Sequence, residues 1–190
     1  MMQNAPKTDG PRICVVGTSG SGKSTLAKAI ANRLNIPYVN SDALYWLPGW
    51  TKRPRHEYSA MLHAAADEDA WVLDGNLGTA DGSRYAASRA TMIVWLDYPH
   101  HVIMRQVILR TIKRVAKKEK LFSGNVETFG QTFLSRDSII CWAFTSYPDV
   151  SKRYVELFER LGGTGVLLVR LRTPNETRRW LDTLGQAVNA

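Results

Sequence analysis

The 190-residue chain is 44% hydrophobic and carries a formal net charge of +8, a length and composition that supply one substantial core and therefore one domain, expected over 12–190. Residues 1–11 are polar and contain Pro and Gly without apolar periodicity, so they read as a flexible leader without a signal peptide's apolar region; no later stretch is long and apolar enough to span a bilayer, and a cytoplasmic protein with no membrane partner is expected. The two cysteines, Cys14 in a strand-like run and Cys141 beside Trp142 in a helical one, are too few for a zinc site and read as buried free thiols.

Apolar runs rich in β-branched residues recur at 13–16, 38–39, 71–73, 92–96 and 166–171. Between them lie segments of helical periodicity, such as Leu26, Ala27, Ile30, Ala31 and Leu34 after the first run and Val102, Ile103, Val107, Ile108, Ile112 and Val115 after the fourth. Strands alternating with helices need crossover connections, which predicts an α/β fold with a mainly parallel sheet covered on both faces.

The first run leads into Gly17-Thr18-Ser19-Gly20-Ser21-Gly22-Lys23-Ser24-Thr25, a Gly-x-x-x-x-Gly-Lys-Ser loop between a strand and a helix. Small residues let its amides converge on phosphate oxygens, and the helix adds its positive N-terminal dipole. Lys23 is expected at the β- and γ-phosphates of ATP and the Ser24 hydroxyl at Mg²⁺. The second run ends in Asn40-Ser41-Asp42, at the same edge of a parallel sheet, where Asp42 can orient or deprotonate an acceptor or cap the next helical turn.

Residues 44–69 exceed a minimal strand–helix alternation and are expected to form an insertion over the acceptor. The third run ends in Asp74-Gly75, an acid placed as a Walker-B carboxylate near Mg²⁺, or as a turn former. After the fourth run, Arg110, Lys113, Arg114 and Lys117 follow i, i+3, i+4, i+7 spacing and share one helix face, with Lys118 and Lys120 beyond. Such a face is commonly just solvated; here it precedes a second insertion around 121–128. The four histidines have no metal-ligand spacing and read as structural.

These residues resemble P-loop kinases of the adenylate/shikimate kinase type, and within them the small bacterial proteins labelled DNA topology modulation proteins. The resemblance runs from the Gly17–Thr25 loop through Asp42-Ala43-Leu44-Tyr45-Trp46-Leu47-Pro48-Gly49-Trp50, Arg53-Pro54, Trp71-Val72-Leu73-Asp74-Gly75-Asn76 and Val94-Trp95-Leu96-Asp97-Tyr98-Pro99 to Gly124-Asn125-Val126-Glu127 and Ser135-Arg136-Asp137-Ser138. It implies a P-loop NTPase fold with a five-stranded parallel sheet, a mobile acceptor-binding segment over 44–69 and a short lid around 115–128. It also implies that Arg110, Arg114 and Arg136 flank the lid and neutralise the transferring phosphoryl group. Adenylate kinases clamp the acceptor phosphate with an Arg shortly after the third strand, whereas here Asn76-Leu77-Gly78-Thr79 intervenes and the nearest arginine is Arg84.

The expected activity is transfer of the γ-phosphoryl of Mg-ATP to a small acceptor. Arg53, Arg55 and Arg84 provide cations near the acceptor, and Tyr45, Trp46 and Trp50 provide flat surfaces that either stack on it or close the core beneath the insertion. That mixture suits a nucleoside monophosphate first and another hydroxylated metabolite second. The rival from a different class is a nucleic-acid-associated regulator using ATP as a conformational ligand; the basic cluster supports it, but no nucleic-acid-binding signature is evident. A third is a kinase fold that has become an ATP-bound interaction module. Oligomeric state is not encoded in any motif.

Overall fold

In the computed structural model, which describes residues 10–78, 81–117, 121–125 and 139–186, five parallel strands form the central sheet. They are β1 (Arg12–Gly17), β2 (Tyr38–Asn40), β5 (Trp71–Asp74), β6 (Met92–Leu96) and β7 (Leu167–Leu171), in the order β2-β5-β1-β6-β7. All five predicted runs are strands of this sheet. Between β2 and β5 the chain adds α2 (Ser41–Tyr45), a two-stranded antiparallel ribbon of β3 (Trp46–Leu47) and β4 (Thr51–Lys52), and α3 (Arg55–Ala66). The remaining helices are α1 (Lys23–Leu34), α4 (Asp81–Arg89), α5 (His100–Lys117), α6 (Ile139–Leu161) and α7 (Pro174–Gln186).

The alternation of side chains along the strands builds two cores. Ile13, Val15, Val72, Val94 and Leu96 face one side and bury against Leu26, Ala27 and Ile30 of α1 and Ile103 and Val107 of α5. Cys14, Val16, Leu73, Ile93 and Trp95 face the other, against Leu62 and Ala66 of α3, Ala86 of α4 and Val150 and Tyr154 of α6. Full burial of β1 follows from its central place: both faces and both edges are covered. Cys14 is a buried free thiol whose pKa burial pushes up to about 12, so it stays protonated and inert.

The 44–69 insertion divides into two parts. Helix α3 belongs to the second core through Leu62 and Ala66, so residues 44–53 alone form the segment standing over the sheet edge. Because every central strand is parallel, Gly17, Asn40, Asp74, Leu96 and Leu171 end on that same edge, with Asn40 opposite Asp74 and Gly17 opposite Leu96.

Candidate active site

The loop between β1 and α1 is shaped by its contacts as much as by its glycines. Gly20 has φ +86° and lies against α5: a Cβ there would stand 2.1 Å from Cγ2 of Val107. Gly22, in the left-handed region at φ 93°, forms the N-cap of α1, and a Cβ on it would meet nothing within 4 Å. No side chain caps this helix and its first turn contains no acid, so its leading amides and positive dipole are left to a partner outside the helix. Lys23 arches back across the loop, donating from Nζ to the carbonyls of Gly17 (2.8 Å) and Thr18 (3.1 Å). Thr18 and Ser21 are buried, and Ser24 and Thr25 are exposed.

On the acid side, Asp74 is buried at the end of β5. Its Oδ2 accepts from the Tyr38 hydroxyl (2.8 Å) and from Nδ2 of Asn40 (3.0 Å), while Asn40 also donates to the Tyr38 oxygen (2.8 Å). The Ser24 side chain lies near enough to the same hydroxyl to lower its pKa. The two residues expected at Mg²⁺, Ser24 and Asp74, therefore flank Tyr38, which sequence reading had not singled out. Burial first, and then the Asp74 charge, push the Tyr38 pKa far above its ordinary value, so it remains a donor at every physiological pH. Asn40 was missed as well. Its Oδ1 accepts from the Ala43 amide at 2.9 Å, which makes Asn40, and not Asp42, the N-cap of α2.

Relieved of capping, Asp42 is presented to the site. It remains solvent-accessible, yet the surrounding protein wall strips enough hydration to raise its carboxyl above the usual carboxylate range; Lys23 opposes the rise, Asp74 adds to it and Arg110 opposes it. Burial correspondingly lowers the Lys23 pKa, with Asp74 and Asp42 opposing and Arg110 reinforcing. Lys23, Asp42, Asp74 and Arg110 thus share one electrostatic neighbourhood. Arg110 reaches it from α5, one turn beyond the Val107 that packs on Gly20. Arg114, one turn further on the same face, is half-buried. Arg136, Lys118, Lys120 and the 126–128 part of the expected lid lie outside the described residues.

The aromatic residues over the sheet edge pack on one another. Tyr45 meets Trp46 and Tyr58 edge-on at 5.0 and 5.3 Å, and Trp46 meets Trp50 at 5.6 Å. Tyr58, missed in the sequence, lies near the Ser41 and Ser83 hydroxyls and the Asp42 charge, and burial first raises its pKa. Arg53 braces the ribbon, donating from Nε to the Leu44 carbonyl (2.7 Å) with Nη1 3.4 Å from Glu57. Arg84 is exposed on the outer face of α4, 3.8 Å from Asp81. His63 contacts Asp81 at 2.9 Å and stacks on Tyr85. An open groove of about 650 Å³ is bounded by Arg55, His56, Ser59, Ala60, His63 and Asp81 and involves no P-loop residue.

The loop fits a nucleotide polyphosphate: an uncapped helix terminus, a left-handed Gly22 facing open space and an adjacent ammonium lie together in it. Ser24 and Asp74 are hard oxygen donors of the kind Mg²⁺ takes. Among the described residues, no group of three or more His, Cys, Asp or Glu could hold a metal, so the cation would depend on nucleotide phosphates for much of its shell. No helix among these residues is long and apolar enough to cross a membrane.

The sheet order and the loop between β1 and α1 give the α/β P-loop fold, and the chain is similar to P-loop kinases of the adenylate/shikimate kinase type. The family model described as cytidylate kinase matches residues 13–73, from β1 to β5. The chain is similar to the uncharacterized protein YqaC of Bacillus subtilis (strain 168), 29% identical over 130 residues covering 67% of this chain and 71% of that one. It is also similar to the shikimate kinase of Bradyrhizobium diazoefficiens, 32% identical over 108 residues that cover 50% of this chain and 52% of that enzyme. Among solved structures, shikimate kinase from Acinetobacter baumannii in complex with shikimate superposes with a TM-score of 0.57 at 15% identity, over 94% of this chain and 92% of that one.

Proposed function

We propose that this chain, as a single cytoplasmic domain, transfers the γ-phosphoryl group of Mg-ATP to a small acceptor held beneath residues 44–53. The convergence of Lys23, Asp42, Asp74 and Arg110 on one sheet edge carries the reading. In it, the amides of residues 17–25 cradle the phosphates, and Lys23 leaves the Gly17 and Thr18 carbonyls to meet the β- and γ-oxygens. Bound Mg²⁺ supplies neutralisation of phosphate charge, with Ser24 and Asp74 as its protein ligands. Arg110, with Arg114 and Arg136, stabilises charge on the phosphoryl group in flight.

A nucleoside monophosphate is the first acceptor class, with Arg53 and Arg84 as its cations. A second class, a neutral hydroxyl acceptor, is favoured by Asp42. A phosphate monoester is already ionised near neutrality and needs no base, whereas an alcohol needs its proton taken, and a carboxylate of raised pKa beside the Lys23 ammonium suits that step. Tyr58 and Ser41 add hydroxyls next to Asp42. The nucleic-acid regulator is not favoured, because Arg110 belongs to the Lys23–Asp42 neighbourhood.

The test is a panel of nucleoside monophosphates and polyhydroxylated metabolites with labelled ATP, with hydrolysis followed in parallel. Transfer to one class, well above hydrolysis, is expected. Tight ATP binding with no transfer to any acceptor and no turnover would overturn the kinase reading in favour of the regulator.

A further inference from the structure

Two segments of the resemblance, Asp42 to Trp50 and the one that begins at Gly124, are far apart in the chain, and the fold joins them at one side chain. Asn125 is buried. Its Nδ2 donates to the Leu47 carbonyl at 3.0 Å and its Oδ1 accepts from the Trp50 amide at 3.1 Å. One planar amide thereby satisfies both a backbone acceptor and a backbone donor at the closed end of the β3–β4 ribbon. Beside it, Oγ of Ser123 donates to the Trp46 carbonyl at 2.6 Å. The 121–125 turn is itself closed by bonds from the Leu121 amide to the Asn125 carbonyl and from the Asn125 amide to the Phe122 carbonyl.

The ribbon has need of such support. It pairs only Trp46 with Lys52 and Leu47 with Thr51, and a hairpin of that size is not stable in water alone. Its tip places Gly49 at φ 70° and, unusually for a residue with a bulky side chain, Trp50 at φ 55°. Ser123 and Gly124 repeat the left-handed pair in the facing turn. Two strained turns are thus held face to face by the Asn125 amide, and the turn also packs against α2, which carries Asp42.

We propose that Asn125 is a positioning residue, a latch that fastens the acceptor-side ribbon to the 121–125 turn so that the two shift as one body. The turn follows in sequence from α5, which carries Arg110 to the nucleotide side, so the latch ties the placement of Trp46 and Trp50 to the chain segment that leaves that helix. That this matters for transfer rests on the kinase reading; the latch itself does not.

Hydrogen exchange by mass spectrometry and NMR, first on the protein without nucleotide, tests it. In Asn125→Ala and the near-isosteric Asn125→Leu, both of which remove the acceptor for the Trp50 amide and the donor to the Leu47 carbonyl, the Trp50 amide and its ribbon neighbours 46–52 should exchange about tenfold faster or more, while β1 amides keep their protection. Ser123→Ala should give a smaller change in the same peptides. Circular dichroism verifies folding, and Asn125→Leu and Ser123→Ala supply the answer if Asn125→Ala does not fold. Unchanged exchange at Trp50 in the folded variants overturns the latch. With a non-hydrolysable ATP analogue, the ribbon of the native protein should gain protection, whereas Asn125→Leu should protect residues 17–25 alone. Equal ribbon protection in both proteins also overturns the proposal. Failure of the native protein to bind the analogue counts against the kinase reading, and the nucleotide-free exchange then decides the latch.

Discussion

Tyr38 hands its phenolic hydrogen to Oδ2 of Asp74 across 2.8 Å, joining the edge strand β2 to the strand-end acid of β5 at the point where Ser24 also arrives. Because burial and the Asp74 charge keep the phenol protonated, the bond persists across the working pH range. Tyr38→Phe should therefore cost about 1 kcal/mol of stability and lower Mg-ATP affinity several-fold while leaving Mg-free nucleotide binding little changed. Thermal unfolding and calorimetry with and without Mg²⁺ measure the two effects; equal losses with and without the cation would remove Tyr38 from the metal side.

Lys23→Ala removes the ammonium that spans the Gly17 and Thr18 carbonyls. Charge-assisted bonds to phosphate contribute about 1.5–3 kcal/mol each, so ATP affinity or transfer should fall at least about tenfold, with the fold intact. Unchanged affinity and activity would reject the loop as the nucleotide site.

The pH profile reports on Asp42. Its folded pKa is raised, so as pH falls the carboxyl takes up its proton earlier than an ordinary aspartate does. If Asp42 accepts the acceptor's proton, the rate should fall on the acid side through a pKa above 3.8, and Asp42→Asn should abolish that limb and slow transfer by about 10² to 10⁴. The same raised pKa has a stability consequence. The folded state holds this proton more tightly than the unfolded chain, so the contribution is fully present below the unfolded pKa and is lost as pH rises through the folded one. Asp42→Asn should accordingly stabilise the protein slightly at neutral pH. A variant whose profile keeps the native acid limb sinks the assignment.

Arg110 lowers the pKa of both Lys23 and Asp42. Arg110→Ala should shift the acid limb of the profile to higher pH, because Asp42 loses a compensating cation. Arg110→Ala and Arg114→Ala should also depress kcat more than ATP affinity if they act on the transferring group. Loss of DNA affinity with untouched ATP chemistry would favour the regulator instead.

What the sequence by itself determined is whatever depends on neighbours in the chain. The phosphate loop was legible because its amides come from consecutive residues, and the five strands because side chains alternate within each. Asp42 and Asp74 could be placed because parallel strands share their carboxyl edge, whereas Arg110 was marked by its basic helix face and by resemblance, and its approach to the loop beside Val107 is a fact of the fold. Only the tertiary structure decided which partner each polar atom meets. Tyr38 finds Asp74 across 36 positions, the Trp50 amide finds Asn125 across 75, and the Tyr154 hydroxyl donates to Oδ1 of Asn76, beside the Gly17 amide, across 78. Their places in the chain marked Arg53 and Arg84 as cations near the acceptor, while the partners they meet, the Leu44 carbonyl and Asp81, are set by the folded chain. A hydrogen bond needs its partner within about 3 Å in a suitable direction, and for residues so distant in the chain only strand register and helix packing bring the two atoms together.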